Sequence, residues 1–234
     1  MYGVEAFIVS IDDSAEYDRM YSLLTREFGK LRAVVRSVRK PKAKLAGHLD
    51  IPNYAWVELV PTSKGWQATQ SLEIASYPHI RAHHEALKVM LASAHFLNAS
   101  LVEGHDREMF GMWKEFLDTM EGFAASPSLI VSFPFIGAQF KLKALSLFGF
   151  LPDISVCSVC EKPFCTDSIS LFHHEIMCSL CAANKRIQGT RMDMKSLDAI
   201  RKCLNSGWMS EHEKERECVV FAHHFEQQSA QYMV

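Results

Sequence analysis

Cys157-Ser158-Val159-Cys160, seventeen further residues, and Cys178-Ser179-Leu180-Cys181 form the strongest local signal in the chain. Each Cys-x-x-Cys pair makes a tight turn that points two sulfurs inward, and a loop of this length lets the turns converge on one ion. Four thiolates in a tetrahedron suit Zn²⁺ and leave no position open for a catalytic water. The spacing therefore predicts one structural zinc ion held by Cys157, Cys160, Cys178 and Cys181, in a ribbon over about 152–189. Cys165 and the pair His173-His174 lie inside the loop as alternatives that the spacing does not require. A ribbon of this kind can touch nucleic acid or simply staple a loop-rich insert, and closed four-sulfur sites favour the staple. Use of the two pairs as a dithiol switch is a third reading.

Outward from the ribbon the sequence turns helical. Leu87, Met90, Leu91, Ala94, Leu97 and Leu101 share one helical face, and Gly104 ends the run. Asp106 reads as the N-cap of a second helix through Phe110, Trp113, Phe116, Leu117 and Met120. Ser126-Pro127 opens a third segment, and 140–148 keeps a helical pattern up to Gly149. Beyond the ribbon come a short helix (Met194, Leu197, Ile200, Leu204) and a final one from about Glu213. Further out still, the first 76 residues break into β-rich runs at 4–9, 20–26, 31–38, 54–60 and 66–76, with Pro78 marking the change to helix. Five short strands fit an oligonucleotide-binding (OB) barrel, and an SH3-like barrel fits nearly as well. The fold class expected is α+β, with an OB-like five-stranded β-barrel over 1–78 and a helical domain over 79–234 that carries the ribbon as an insert.

Net charge is −2, but it is unevenly spread. Residues 26–44 hold eight bases against the single acid Glu27, a net +7 that leaves −9 on the rest of the chain. A basic patch on an otherwise acidic protein points to a polyanion bound at one place. Within it, Lys30, Arg32, Val34 and Arg36 share one face of the third strand while Leu31, Ala33 and Val35 share the other. Arg39, Lys40, Lys42 and Lys44 continue the charge into a loop stiffened by Pro41. These seven cations are the candidate DNA contacts. On the fourth strand Tyr54 and Trp56 share a face, so they either stack bases beside the cations or fill the barrel.

Other classes lack their signatures. The chain has no Gly-x-x-x-x-Gly-Lys-Ser/Thr, Gly-x-Gly-x-x-Gly, Gly-x-Ser-x-Gly or His-Glu-x-x-His motif, so no enzymatic constellation is expected. The adjacent pairs His83-His84 and His223-His224 project about 100° apart on a helix and chelate one ion poorly. Glu5 near the start, the absence of a basic lead-in, and an odd remainder of cysteines (Cys165, Cys203, Cys218) fit a cytoplasmic, reducing setting. The longest apolar run, Leu129 to Ala138, is broken by Ser132 and Pro134 and does not predict a membrane span.

The order of parts resembles the RecO family of bacterial recombination mediators over essentially the full length. The matching residues are Ala6-Phe7-Ile8-Val9, Tyr17-Asp18-Arg19, Leu23-Leu24-Thr25-Arg26-Glu27-Phe28-Gly29-Lys30, Arg39-Lys40-Pro41-Lys42, Leu72-Glu73, and Gly149-Phe150-Leu151-Pro152 leading into Cys157 and Cys160. There are departures. Ser37 stands where a glycine is expected before the basic turn, and Ala43 where a serine is expected. The glycine pair usual before the second cysteine pair is absent, with His173-His174-Glu175 nearby, so a different ribbon hairpin is expected. The resemblance implies a non-enzymatic, nucleoid-associated protein of DNA repair and recombination. It would bind single- and double-stranded DNA, anneal complementary strands and, with RecR, help RecA onto gaps covered by single-strand-binding protein. It also implies that the helical domain binds the acidic, apolar-ended tail of single-strand-binding protein. Lys141 and Lys143, near Phe140 and Leu145, are the candidate tail contacts. A zinc-ribbon adaptor for nucleic acid or protein, without annealing activity, is the alternative.

Overall fold

The computed structural model describes residues 1–40, 47–104, 107–126, 131–164, 168–208 and 215–230. Two compact units result, Met1–Ser126 and Pro127–Val234. Compactness thus divides the chain later than residue 78, because the first three helices pack with the barrel.

In the first unit, β1 (Tyr2–Asp13), β2 (Arg19–Thr25), β3 (Gly29–Val35), β4 (Tyr54–Thr62) and β5 (Gly65–Ala75) close a barrel in the order β1-β2-β3-β5-β4. The strand β1 pairs antiparallel with both β2 and β4, and closure comes from a parallel pair of β3 with β5. That Greek-key closure selects the OB fold over an SH3-like barrel. Alternation fixes the register: Val4, Ala6, Ile8, Leu31, Ala33 and Val35 all point into one buried core. A bulge between Ile8 and Ser10 lets β1 curl around that core.

Helices α1 (Pro78–Ala82), α2 (His84–Ser100) and α3 (Arg107–Ala124) follow. Pro78 opens α1, where its missing N–H costs nothing. The Glu121 carboxylate of α3 accepts the otherwise unpaired N–H groups of His79 (3.0 Å) and Ile80 (2.9 Å). His83 ends α1 and accepts the Ala86 N–H at the start of α2, a capping role that accounts for one member of its histidine pair. The apolar face of α3 buries Met109, Phe110, Trp113, Phe116, Leu117 and Met120, and Phe110 lies 5.1 Å from Phe7 on the outer face of β1. The proposed N-cap Asp106 lies outside the described residues.

In the second unit α4 (Phe133–Leu147) is apolar nearly all round and buried accordingly. It packs on α6 (Met194–Asn205) and α7 (Glu215–Ser229). Gly149 ends the α4 segment in the left-handed conformation at φ +73°, where a glycine carries no Cβ penalty. Between α4 and α6 lie β6 (Ser168–Phe172), β7 (Glu175–Cys178), α5 (Ser179–Asn184) and β8 (Thr190–Asp193), with the small sheet ordered β7-β6-β8. The insert expected from the cysteines is therefore present between helices of one bundle. Among the described residues, no helix is long and apolar enough to cross a membrane.

Candidate metal centre and nucleic-acid interface

The four cysteines converge. Their Sγ atoms all lie within 4.8 Å of one another, with Cys157 and Cys178 buried and Cys160 and Cys181 half-buried. Zinc–sulfur bonds of about 2.3 Å in a tetrahedron require sulfurs about 3.8 Å apart, so the cage fits a metal ion of that size. Local hydrogen bonds build it. The first turn closes with the Glu161 N–H donating to the Cys157 carbonyl (2.9 Å), helped by Glu161 in the left-handed region at φ +57°. In the second, Cys178 caps α5 and its N–H donates to Cys157 Sγ at 3.3 Å. Ser158 stitches the two turns together. Its N–H donates to the Ile176 carbonyl (2.8 Å), and its hydroxyl accepts the Ile176 N–H (3.0 Å). Burial opposes ionisation of Cys157, but backbone N–H groups of Cys160, Cys178 and Val159 outweigh it and bring its thiol down to about 6. A thiolate at neutral pH is the form a metal takes. Cys165 lies outside the described residues. Neither His173 nor His174 belongs to the cluster; His173 Nδ1 is 3.2 Å from Gln228 Oε1.

On the barrel, β3 alternates as the sequence predicts: Leu31, Ala33 and Val35 are buried while Arg32 and the following Arg36 are exposed. Lys30, the first of the candidate DNA contacts, has partners within the first unit. Its ammonium donates to the carbonyls of Asn98 and Leu101 (2.8 Å to the latter), fastening β3 to the end of α2. Burial lowers its pKa below the usual lysine value. A cation at the C-terminal end of a helix meets the negative end of its dipole.

Beyond β3, the Arg39 guanidinium lies 3.4 Å from Asp13, which Arg19 also approaches at 3.2 Å. The Lys40 ammonium stands 5.4 Å from the centre of the Tyr17 ring. Lys42 and Lys44 lie outside the described residues. Arg19 lies in another strand, and only the pairing of β1 with β2 brings it beside Asp13, the carboxylate that Arg39 also approaches.

The stacking candidates separate. Tyr54 is buried, stacked on Phe7 at 4.6 Å and donating its hydroxyl to Glu5 Oε2 at 2.6 Å. No face of its ring is left for a base, because α3 covers this part of the barrel. Trp56 is half-exposed, and its indole lies over Gly3, where an added Cβ would come within 2.7 Å of Cζ2.

Lys141 and Lys143 likewise point to internal partners. Lys141 bridges α4 to Glu226 of α7 at 2.7 Å. Lys143 donates to the Ser206 carbonyl at 2.6 Å, at the C-terminus of α6, and lies 5.5 Å from the Trp208 ring centre. Both candidate tail contacts thus have partners inside the second unit, Lys141 a carboxylate of α7 and Lys143 the carbonyls at the end of α6.

An OB barrel with a cationic strand face, followed by a helical unit bearing a four-cysteine cage, defines the class of protein. A family model described as Recombination protein O N terminal matches residues 1–77, and one described as Recombination protein O C terminal matches residues 85–217. The chain belongs to the RecO family. It is 26% identical over 209 residues to the DNA repair protein RecO of Pelobacter propionicus, covering 87% of this chain and 80% of that protein. Against the RecO of Myxococcus xanthus it is 27% identical, covering 79% of this chain and 74% of the relative. Against that of Bifidobacterium adolescentis it is 26% identical, covering 89% and 83%.

Proposed function

We propose that this protein is a DNA repair and recombination mediator that binds single- and double-stranded DNA through its barrel and anneals complementary strands. The relatives' name, DNA repair protein RecO, supports the repair role. The observation that carries the binding mode is the alternation of β3, which holds Arg32 in solvent on a core-anchored strand, with exposed Arg36 immediately after it. Such cations neutralise phosphates without reading sequence, so two strands can lie close together and test for pairing. No nucleophile or nucleotide is needed, in keeping with a non-enzymatic role. In this reading RecR and RecA act downstream on gaps covered by single-strand-binding protein, and the protein works in the cytoplasm at the nucleoid. The metal is zinc and its role is structural, since the cage leaves no open ligand position.

The test is binding and annealing as a function of salt. With about five phosphate contacts on a single strand, affinity falls roughly a hundredfold between 50 and 200 mM salt. Arg32→Glu with Arg36→Glu weakens binding to all sequences alike and slows annealing. A salt-insensitive affinity, or an unchanged double variant, would show that DNA is held elsewhere. Binding that persists without any annealing would favour the adaptor reading.

A further inference from the structure

Three aromatic side chains gather at one end of the barrel: Tyr2 at the start of β1, Phe28 in the β2–β3 turn and Trp66 at the start of β5. Tyr2 meets Phe28 (centroids 5.8 Å apart) and Trp66 (5.5 Å) nearly edge-on, and Phe28 and Trp66 lie 6.1 Å apart at an angle of 31°. Trp66 is anchored by packing against the barrel core, whereas Tyr2 and Phe28 are 47% and 37% exposed. Apolar area left in water forgoes about 25 cal/mol per Å².

The position of the cluster matters as much as its exposure. Phe28 immediately precedes β3, and Trp66 pairs with Ala33, the residue after Arg32. Arg32 stands exposed within β3, and exposed Arg36 follows just past its end. At the far end Lys40 stands over Tyr17, itself 46% exposed. The arginine row is thus bracketed by accessible rings. Every nucleobase has a π face, and sequence-tolerant single-strand binding combines aromatic stacking with a cationic track. A duplex hides its base faces and has nothing to offer such a cluster.

We propose that Tyr2, Phe28 and Trp66 form a base-stacking site for single-stranded nucleic acid, with the nucleic-acid strand running from this cluster past Arg32 of β3 and Arg36 just beyond it. The proposal rests on the DNA-binding reading above and adds the residues that favour single strands over duplex.

The experiment measures binding of the full chain to an oligodeoxythymidine and to a duplex of equal length across a salt series. Phe28→Leu is compared with the Arg32→Glu/Arg36→Glu variant. Leucine keeps apolar volume at the barrel end but removes the π face, and a melting curve checks the fold. Stacking on alanine-scan scales corresponds to a loss of about five- to a hundredfold in single-strand affinity. The expected result is a loss of that size with an unchanged salt slope and unchanged duplex affinity. Tryptophan quenching by oligodeoxythymidine should also diminish in Trp66→Phe. If Phe28→Leu does not fold, Tyr2→Leu, at the more exposed ring, carries the same comparison. Wild-type single-strand affinity in the leucine variant, with binding lost in the arginine variant, overturns the stacking site and leaves the DNA reading standing. Equal losses for single strand and duplex in the leucine variant also overturn it. No change in either variant sinks both readings.

Discussion

Glu5 shows how much one outer-face residue can do. Its carboxylate accepts the Tyr54 hydroxyl at 2.6 Å and lies 3.1 Å from Arg26. The Tyr54 hydrogen bond is the main reason its pKa falls below the ordinary 4.5; partial burial opposes the shift and Arg26 reinforces it. A depressed carboxylate contributes stability that is fully present above the unfolded pKa and is lost as pH falls through the folded value. Wild type should therefore exceed Glu5→Gln in stability at pH 7, and the two should converge below about pH 4 in urea titrations at stepped pH. Parallel profiles across that range would show that the ionised form contributes nothing. Lys30 gives a second prediction. Replacing it with Met leaves two helix-end carbonyls without their charged donor, which costs about 1.5–3 kcal/mol of unfolding free energy. DNA affinity should fall less than for Arg32→Glu. Its face on β3 was legible in the sequence; its partner 68 residues away was not.

At the element scale, two of the three departures from the family pattern fall where the backbone is strained; the third, Ala43, lies outside the described residues. Ser37 has φ +56° and His173 has φ +51°, both in the left-handed region. Ser37 holds the turn after β3 by donating its N–H to Asp18 Oδ1 (2.7 Å) and accepting the Lys40 N–H (3.2 Å). The pairing of Phe172 with Glu175 makes His173-His174 a two-residue hairpin loop with a positive φ at its first position, where type II′ prefers glycine. A left-handed residue with a Cβ costs about 1–2 kcal/mol, partly offset by the extra chain entropy of glycine. Ser37→Gly should therefore raise the urea midpoint by an equivalent of about 0.5–1 kcal/mol. His173→Gly should gain less, because it gives up the contact with Gln228. Gly189 is the converse case: an added Cβ would collide with the Leu171 carbonyl of β6. Gly189→Ala should weaken the ribbon, seen as easier loss of metal to a chelator. The sequence did locate these two departures, because a missing glycine is visible wherever one is expected.

For the whole molecule, two compact units with separate cores predict separable stabilities. Metal analysis should find about one zinc per chain. Chelation should unfold the cysteine insert, because the free energy of binding at such sites is also folding free energy. The barrel core contains none of the four ligands, so the first unit should keep its melting transition. A single transition that shifts as a whole on metal removal would contradict this independence.

Local chemistry in the sequence was enough to fix the cysteine cage, the five strands, the alternation of β3 and most of the helical faces (Leu91 of α2 is exposed instead), since spacing and periodicity act over a few residues. It left OB and SH3-like barrels undivided, because the parallel pairing of Ala33 with Trp66 that closes the barrel joins distant segments. Tertiary packing also decided which charges and rings remain available. It buried Tyr54 under Phe110, spent Lys30, Lys141 and Lys143 on internal partners, and gathered Tyr2, Phe28 and Trp66 from three strand ends. A side chain's type shows in the sequence, but its exposure depends on what folds over it.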